Sequence, residues 1–309
     1  MDLYCIGEML IDFTPGSEPA SYIRNAGGAP ANVAIAAAKN GLEAGMNCSL
    51  GDDDFGHFLM DTLKEYHVRC LNPEFCQEAI TTMAFVTLTP EGDRSFTFAR
   101  KPGADSFLSE SRVREEDIAG SVIIHSGSCS LSVSPEDAAT EKALRLGHEM
   151  GKLVSFDVNY RDMRWGGKVQ ACRDRVLKCL PWVDLLKISD EEAGMFGGES
   201  AIPGLMERYH LSLVVETLGA DGARAWYGGK ILSVPGRKAH CVDTTGAGDA
   251  FWGGLLSSLR LQGVEKAEDL TEEAVLRAMN YGNVAGWLCV QSKGAIPSLP
   301  SRKQIEQHL

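Results

Sequence analysis

Several things are missing from this 309-residue chain, and each absence excludes something. No apolar run approaches the roughly 20 residues that a membrane span needs. The N-terminal "MDLYCIGEML" has an acid at position 2 and no basic segment, so a signal peptide is not expected and a cytoplasmic location is. No C-x-x-C occurs among the nine cysteines (5, 48, 70, 76, 129, 172, 179, 241 and 289). Their number is odd and none stands near histidine at zinc-site spacing, so they read as reduced core thiols. Basic residues are in deficit: 30 Lys and Arg against 42 Asp and Glu leave a formal charge of −12, which repels a nucleic-acid backbone. That balance leaves room for a phosphate ligand, because backbone N–H groups at a helix start bind anions locally. Also absent are a G-x-x-x-x-G-K-[ST] loop, a protein-kinase motif set, and a G-x-G-x-x-G after the first strand. The last absence counts against a nucleotide-binding dehydrogenase.

What is present is a globular composition, 44% hydrophobic and 23% charged, in a chain long enough for one large α/β domain, taken here as 1–309. Short apolar runs recur between turn residues: "LYCIG" at the start, then 121–127, 152–159, 183–189 and 211–219. Helical patterns separate them, as in "PEDAATEKALRLGHEMG" (135–151), where Pro135 can open a helix and Gly151 can close it. Continuous apolar strands alternating with helices predict a mainly parallel sheet covered on both faces. Three strands end in polar residues: Asp157 and Asn159, Lys187 and Ser189, Glu216 and Thr217. Ligands of open α/β sheets bind beyond the carboxyl ends of strands, so these ends predict one shared rim. Two stretches break the pattern. Residues 10–28 have no helical period, and 81–100 alternates as a hairpin (Phe85, Thr87, Thr89, then Ser95, Thr97, Ala99) about a Pro-Glu-Gly-Asp turn. Together they predict a small separate sheet inserted from about 12–27 and 80–101, which either covers the rim as a lid or pairs with a second subunit.

The most chemically loaded stretch is "DTTGAGDAF" (243–251). Phe251, Leu255 and Leu259 follow at helical spacing with Trp252 and Leu256, so the glycine turn sits at a helix N-terminus. Its N–H groups and the helix dipole make a cup for developing phosphoryl charge. Asp249, in the first turn, is either a helix-start carboxylate or a general base for a substrate hydroxyl.

This stretch resembles the C-terminal signature of the ribokinase-like carbohydrate kinases, the PfkB family. Other segments resemble that family in the right order along nearly the whole chain: "GGAPANVA" (27–34) its sugar-binding signature, "KISDEEAGMFG" (187–197) its [NS]-x-x-E motif, "ETLGADGA" (216–223) its nucleotide-phosphate loop, and 280–300 its adenine-side segment. The resemblance implies a ribokinase-like α/β fold with a β-sheet lid, and ATP and Mg²⁺ as cofactors. It implies Asp249 as the base, with Gly246, Ala247 and Gly248 as the anion cup. Asp12, Gly28 and Asn32 would hold sugar hydroxyls. Lys187, Ser189, Thr217, Gly219, Gly222 and Asn283 would lie on the nucleotide side. Glu192 would organise Mg²⁺ through waters, and Asp243 and Thr245 would offer oxygens to a potassium-type ion, K⁺.

For the sugar, "DVNYRDMRW" (157–165) is similar to a D-P-N-x-R-x-x-x-W segment of fructokinases and 2-keto-3-deoxygluconate kinases, with Val158 in place of proline and Arg161 at the rim. The stretches 96–105 and 124–135 resemble fructokinases more closely, which implies a sugar contact for Arg100 from the base of the lid and stacking or packing for Phe96 and Phe98. His125 reads as a hydrogen-bonded strand residue. The expectation is a kinase for D-fructose, with a keto-acid sugar or a ribosyl compound as the alternatives and a non-catalytic sensor as a different class. A homodimer through the lid sheet is also expected.

Overall fold

The computed structural model describes residues 1–18, 20–88, 94–99 and 102–309. Nine strands form the main sheet in the order β13-β12-β11-β10-β9-β8-β1-β4-β5. They are β1 (Leu3–Ile6), β4 (Ala44–Asn47), β5 (Arg69–Cys70), β8 (Ile123–Gly127), β9 (Leu153–Asp157), β10 (Leu185–Ser189), β11 (Leu213–Thr217), β12 (Gly222–Tyr227) and β13 (Lys230–Pro235). From β5 to β11 every pairing is parallel, and β12 and β13 add an antiparallel edge. The five apolar runs of the sequence are β1, β8, β9, β10 and β11, five neighbours in this sheet. Their side chains are buried on both faces, which is why they read as continuous rather than alternating.

The second sheet has the order β3-β2-β6-β7, from β2 (Leu10–Pro15), β3 (Tyr22–Gly27), β6 (Met83–Leu88) and β7 (Arg94–Ala99). It is separate from the main sheet, as the broken pattern of 10–28 and 81–100 implied. The hairpin register pairs Phe85 with Thr97 and Thr87 with Ser95. Thr89, the turn 90–93, Arg100 and the side chain of Phe96 lie outside the described residues.

The helix Ala247–Leu261 buries Phe251, Trp252, Leu255, Leu256 and Leu259, as its spacing required. It packs between the helices Ala29–Lys39 and Glu272–Cys289, and Trp252 Nε1 donates to Ser155 Oγ on β9 at 2.9 Å. Burying five large apolar side chains at about 1.5–3 kcal/mol each fixes this helix, and the turn before it, against the sheet. The helix at 136–149 begins one residue later than Pro135, and Gly151 follows its end at φ +65°. His125 is buried on β8 and bonds Ser155 Oγ through Nδ1 at 3.0 Å. Burial lowers its pKa to about 4, so it stays neutral at ordinary pH. Among the described residues no helix is long and apolar enough to cross a membrane.

Candidate active site

The turn before Asp249 is built by backbone geometry. Gly246 caps the helix at φ +78°, and a Cβ there would stand 2.8 Å from Ala295 Cβ. Both the conformation and the space call for glycine. Asp243 ties the turn down: Oδ1 accepts from Thr245 N–H at 2.8 Å and Oδ2 from Gly294 N–H at 2.9 Å. The Ala247 amide donates to the Thr244 carbonyl at 3.2 Å, so the donors left to face a ligand are those beside it in the turn. Lys187 adds a full cation to the same place, since a Cβ on Gly248 would lie 3.4 Å from its Nζ.

Asp249 is buried, and its Oδ2 accepts from Asn32 Nδ2 at 2.7 Å. Asn32 lies within the first turns of its helix, with its N–H bonded to Gly28 O, so it is not an N-cap and its amide is free to reach across. Gly28 holds the helix start at φ +115°, where a Cβ would collide with Glu8 O at 2.4 Å. On the other side, Asn159 Nδ2 stands 3.5 Å from Asp249 Oδ1. Asn159 takes φ +38°, a left-handed turn that Asn tolerates, which swings the chain out of β9 toward the helix start. Burial raises the Asp249 pKa and outweighs the Asn32 hydrogen bond and the Arg161 charge. The result is a more basic carboxylate at the head of the helix.

Asp12, half-buried on β2, has its carboxyl against Gly27, where a Cβ would lie 2.3 Å from Oδ2. Burial pushes its pKa up to about 6; Arg161 opposes this, while Asp249 and Asp243 add to it. Asp12, Arg161 and Asp249 therefore share one electrostatic field although 237 positions separate the two acids (12 and 249). Arg161 itself is an exposed residue whose Nη1 donates to Tyr160 O at 3.2 Å.

Lys187 and Asp157, opposite each other on β10 and β9, form a buried ion pair at 2.8 Å. Burial alone would lower the lysine pKa, but Asp157 and Glu192 outweigh it and raise it. Asp157 Oδ1 is buried without a hydrogen-bond partner. Glu192 closes a capping box with Ser189, accepting Ser189 N–H at 2.8 Å, and its other oxygen accepts Tyr160 N–H at 2.6 Å. It thus fixes the turn that carries Asn159. Burial and then Asp157 raise its pKa, against Lys187. Among the described residues no three His, Cys, Asp or Glu side chains converge to hold a metal directly. A divalent ion carrying its own waters and phosphate ligands fits this arrangement, with the open oxygen of Asp157 and the nearby Glu192 addressing those waters.

Beyond Lys187 in the sheet, Thr217 ends β11 opposite Ala223, and Gly219 and Gly222 shape the following turn at φ +55° and +100°. Asn283 Nδ2 donates to Pro235 O at 2.7 Å, and a Cβ on Gly222 would meet Val234 O at 2.2 Å. These residues therefore form one patch. The same helix that carries Asn283 passes the cup, where a Cβ on Gly286 would lie 3.3 Å from Ala247 O. One strand-end residue leaves the rim: Glu216 pairs with Arg224 on β12, because alternation turns it away from Thr217. Asp157 and Asn159 were legible as strand-end polar residues but not as partners of Lys187 and Asp249, since only the fold brings them together.

The match to known proteins agrees with this geometry. Residues 1–302 match the model of the pfkB family carbohydrate kinases. The chain belongs to this family. This kinase is 38% identical over 306 residues to a probable fructokinase-2 of Arabidopsis thaliana, covering 96% of this chain and 92% of that one. It is 37% identical over 307 residues to fructokinase-2 of Oryza sativa subsp. japonica, covering 96% and 90%. Among solved structures it superposes on the fructokinase of Xylella fastidiosa with bound ATP (TM-score 0.92, 29% identity, 99% and 97% covered). It also superposes on the fructokinase of Vibrio cholerae O395 with fructose, ADP and calcium (TM-score 0.89, 33% identity, 99% and 98% covered). The aminoimidazole riboside kinase of Salmonella enterica is similar too (TM-score 0.86, 27% identity, 99% of both chains). The fold is the ribokinase-like one, with its small four-stranded lid sheet, and the chain is a carbohydrate kinase of this family.

Proposed function

We propose that this kinase transfers the γ-phosphoryl group of ATP to the 6-hydroxyl of D-fructose. The observation that carries the chemistry is Asp249, buried at the head of the 247–261 helix and held by Asn32 at 2.7 Å. Asn32 holds Oδ2 tightly, while Oδ1, with only the longer 3.5 Å contact from Asn159, would receive the acceptor proton. A carboxylate suffices because phosphoryl transfer through a loose transition state needs little early deprotonation. Asp12 and Arg161 would fix the sugar in the cleft beside Asp249. The turn amides at Gly246 and Gly248, with Lys187, would take up charge on the transferring group. Mg²⁺, when bound with the nucleotide, neutralises phosphate charge. Thr217, Gly219, Gly222 and Asn283 would receive the rest of ATP.

Fructose is favoured over other sugars by the names of the relatives at 37–38% identity. The similarity to a riboside kinase supplies the second reading. A coupled assay over fructose, 2-keto-3-deoxygluconate, ribose and aminoimidazole riboside decides between them. Turnover on another acceptor that exceeds turnover on fructose overturns the assignment.

A potassium-type ion beside Thr245 is part of the same proposal, since a related fructokinase structure from Vibrio cholerae holds potassium. Asp243 would help there chiefly by shaping the loop, as both its oxygens accept N–H groups. We also propose a homodimer through the lid, whose edge strand β3 exposes Tyr22 and Ile23 at 48% and 50%, Tyr22 lying beside the stacked rings of Phe13 and Phe85. Tyr22→Glu with Ile23→Glu should give a monomer by light scattering.

A further inference from the structure

Away from Asp249, four charged side chains are buried close together. Arg164 lies in the short helix Asp162–Trp165, three residues past Arg161. Its Nη1 donates to Asp105 and its Nη2 to Glu136, while Nε donates to Cys129 O at 2.9 Å and Ser132 Oγ at 2.8 Å. The arginine side chain is 6% exposed and both carboxylates are fully buried. Glu8 is buried within reach of the same charges: Arg164 and Asp105 both act on its carboxyl.

Each acid roots a different segment. Asp105 also accepts Thr82 Oγ1 at 2.6 Å, and these two residues bracket the β6–β7 hairpin of the lid. Glu8 leads into β2 of the lid and accepts Ala29 N–H at 3.1 Å, the first turn of the helix that carries Asn32. Glu136 opens the helix behind β8. Arg164 itself shares a loop with Asn159, which faces Asp249, and with Arg161.

An ionic cluster is a poor way to stabilise a core, since well-packed apolar side chains of similar volume often do as well or better. What a guanidinium adds is direction: its planar fork fixes several partners at once, which a point charge on lysine does not. We propose that Arg164 is a positioning residue that fastens the β6–β7 root of the lid, through Asp105, to the loop bearing Asn159 and Arg161, so that lid placement and the geometry around Asp249 are set as one unit. This rests on the phosphoryl-transfer reading above. A lid in register excludes water from the transferring group, so loosening the clamp lets ATP be hydrolysed without sugar being phosphorylated.

The test compares the parent, Arg164→Lys, and Arg164→Met combined with Glu136→Gln, which removes one acid with the cation. Sugar phosphate and inorganic phosphate are measured in parallel, with thermal melting as the check on folding. Arg164→Lys should fold, raise the KM for sugar about tenfold, and release inorganic phosphate at several times the parent's share of turnover; the double variant should uncouple further. Parent KM and parent coupling in both variants overturn the proposal. So does loss of melting temperature with coupling unchanged, which would make the cluster structural only. A parent enzyme inactive on every sugar would instead overturn the functional reading on which the proposal stands.

Discussion

Asp12 is held in the fold with its carboxyl ionising at about 6 instead of 3.8, because burial penalises the charged form more than Arg161 favours it. A carboxyl raised in this way binds its proton more tightly when folded than when unfolded. Its favourable contribution is therefore fully present below 3.8 and is lost as pH rises through about 6. At pH 8 the ionised Asp12 costs the fold about 3 kcal/mol, at 1.36 kcal/mol per unit of pKa. Asp12→Asn keeps the shape and removes the charge, so at pH 8 it should be more stable than the parent by about that amount, roughly 5 °C in melting temperature. The advantage should fall by about half at pH 5 and to roughly 0.6 kcal/mol at pH 4, vanishing only below 3.8 where the parent is neutral in both states. The cost appears in function: a charge-assisted hydrogen bond to a sugar hydroxyl is worth about 2 kcal/mol, so kcat/KM for sugar should fall about 30-fold, mainly through KM. Melts of parent and variant from pH 4 to 8, with sugar kinetics at pH 8, check both halves. An Asp12→Asn enzyme that gains nothing at pH 8, or gains the same at pH 5, would refute the reasoning.

Asp249→Asn should lower kcat by about 10³-fold, within the range of a lost general base, while ATP and sugar still bind by calorimetry; turnover within tenfold of the parent would rule Asp249 out as the base. Lys187→Met leaves Asp157 buried and unpaired, a loss of about 3–5 kcal/mol in denaturant unfolding that Asp157→Asn in the same chain should largely restore. Gly246→Ala forces a side chain into φ +78° and against Ala295. It should cost about 1–2 kcal/mol from backbone strain alone and raise the KM for ATP by displacing the cup, as read from melts and ATP titrations.

Much of this is legible in the sequence because it rests on local chemistry. The turn at 243–248 announces a helix start through its glycines and the apolar spacing behind it, and five buried strands announce themselves as unbroken apolar runs. The lid is visible as two segments lacking a helical period. β5, with two residues, gives too short a pattern to register, β4 ("AGMN") carries no apolar run, and β13 alternates because it is the edge strand beside the mostly buried β12. Glu8 and Arg164 give no signal at all. A lone glutamate after a strand and an arginine in a polar loop look like solvent-facing residues until tertiary packing closes over them. Glu192 reads in the sequence as an organiser of magnesium, while in the fold its two oxygens first hold backbone amides of separate loops. A single chain cannot reveal that, because the Tyr160 amide comes within reach only when β9 and β10 lie side by side.

The Asn32–Asp249 hydrogen bond joins residues 217 positions apart. During synthesis the amide leaves the ribosome long before the carboxylate has been made. At roughly 5–20 residues per second, that interval is on the order of ten seconds or more. Throughout it, the nascent chain holds only one of the two residues that this hydrogen bond joins, and not Asp249, the base in the proposed mechanism. On that mechanism, a chain stalled before residue 249 would lack the base and so would not transfer phosphoryl groups.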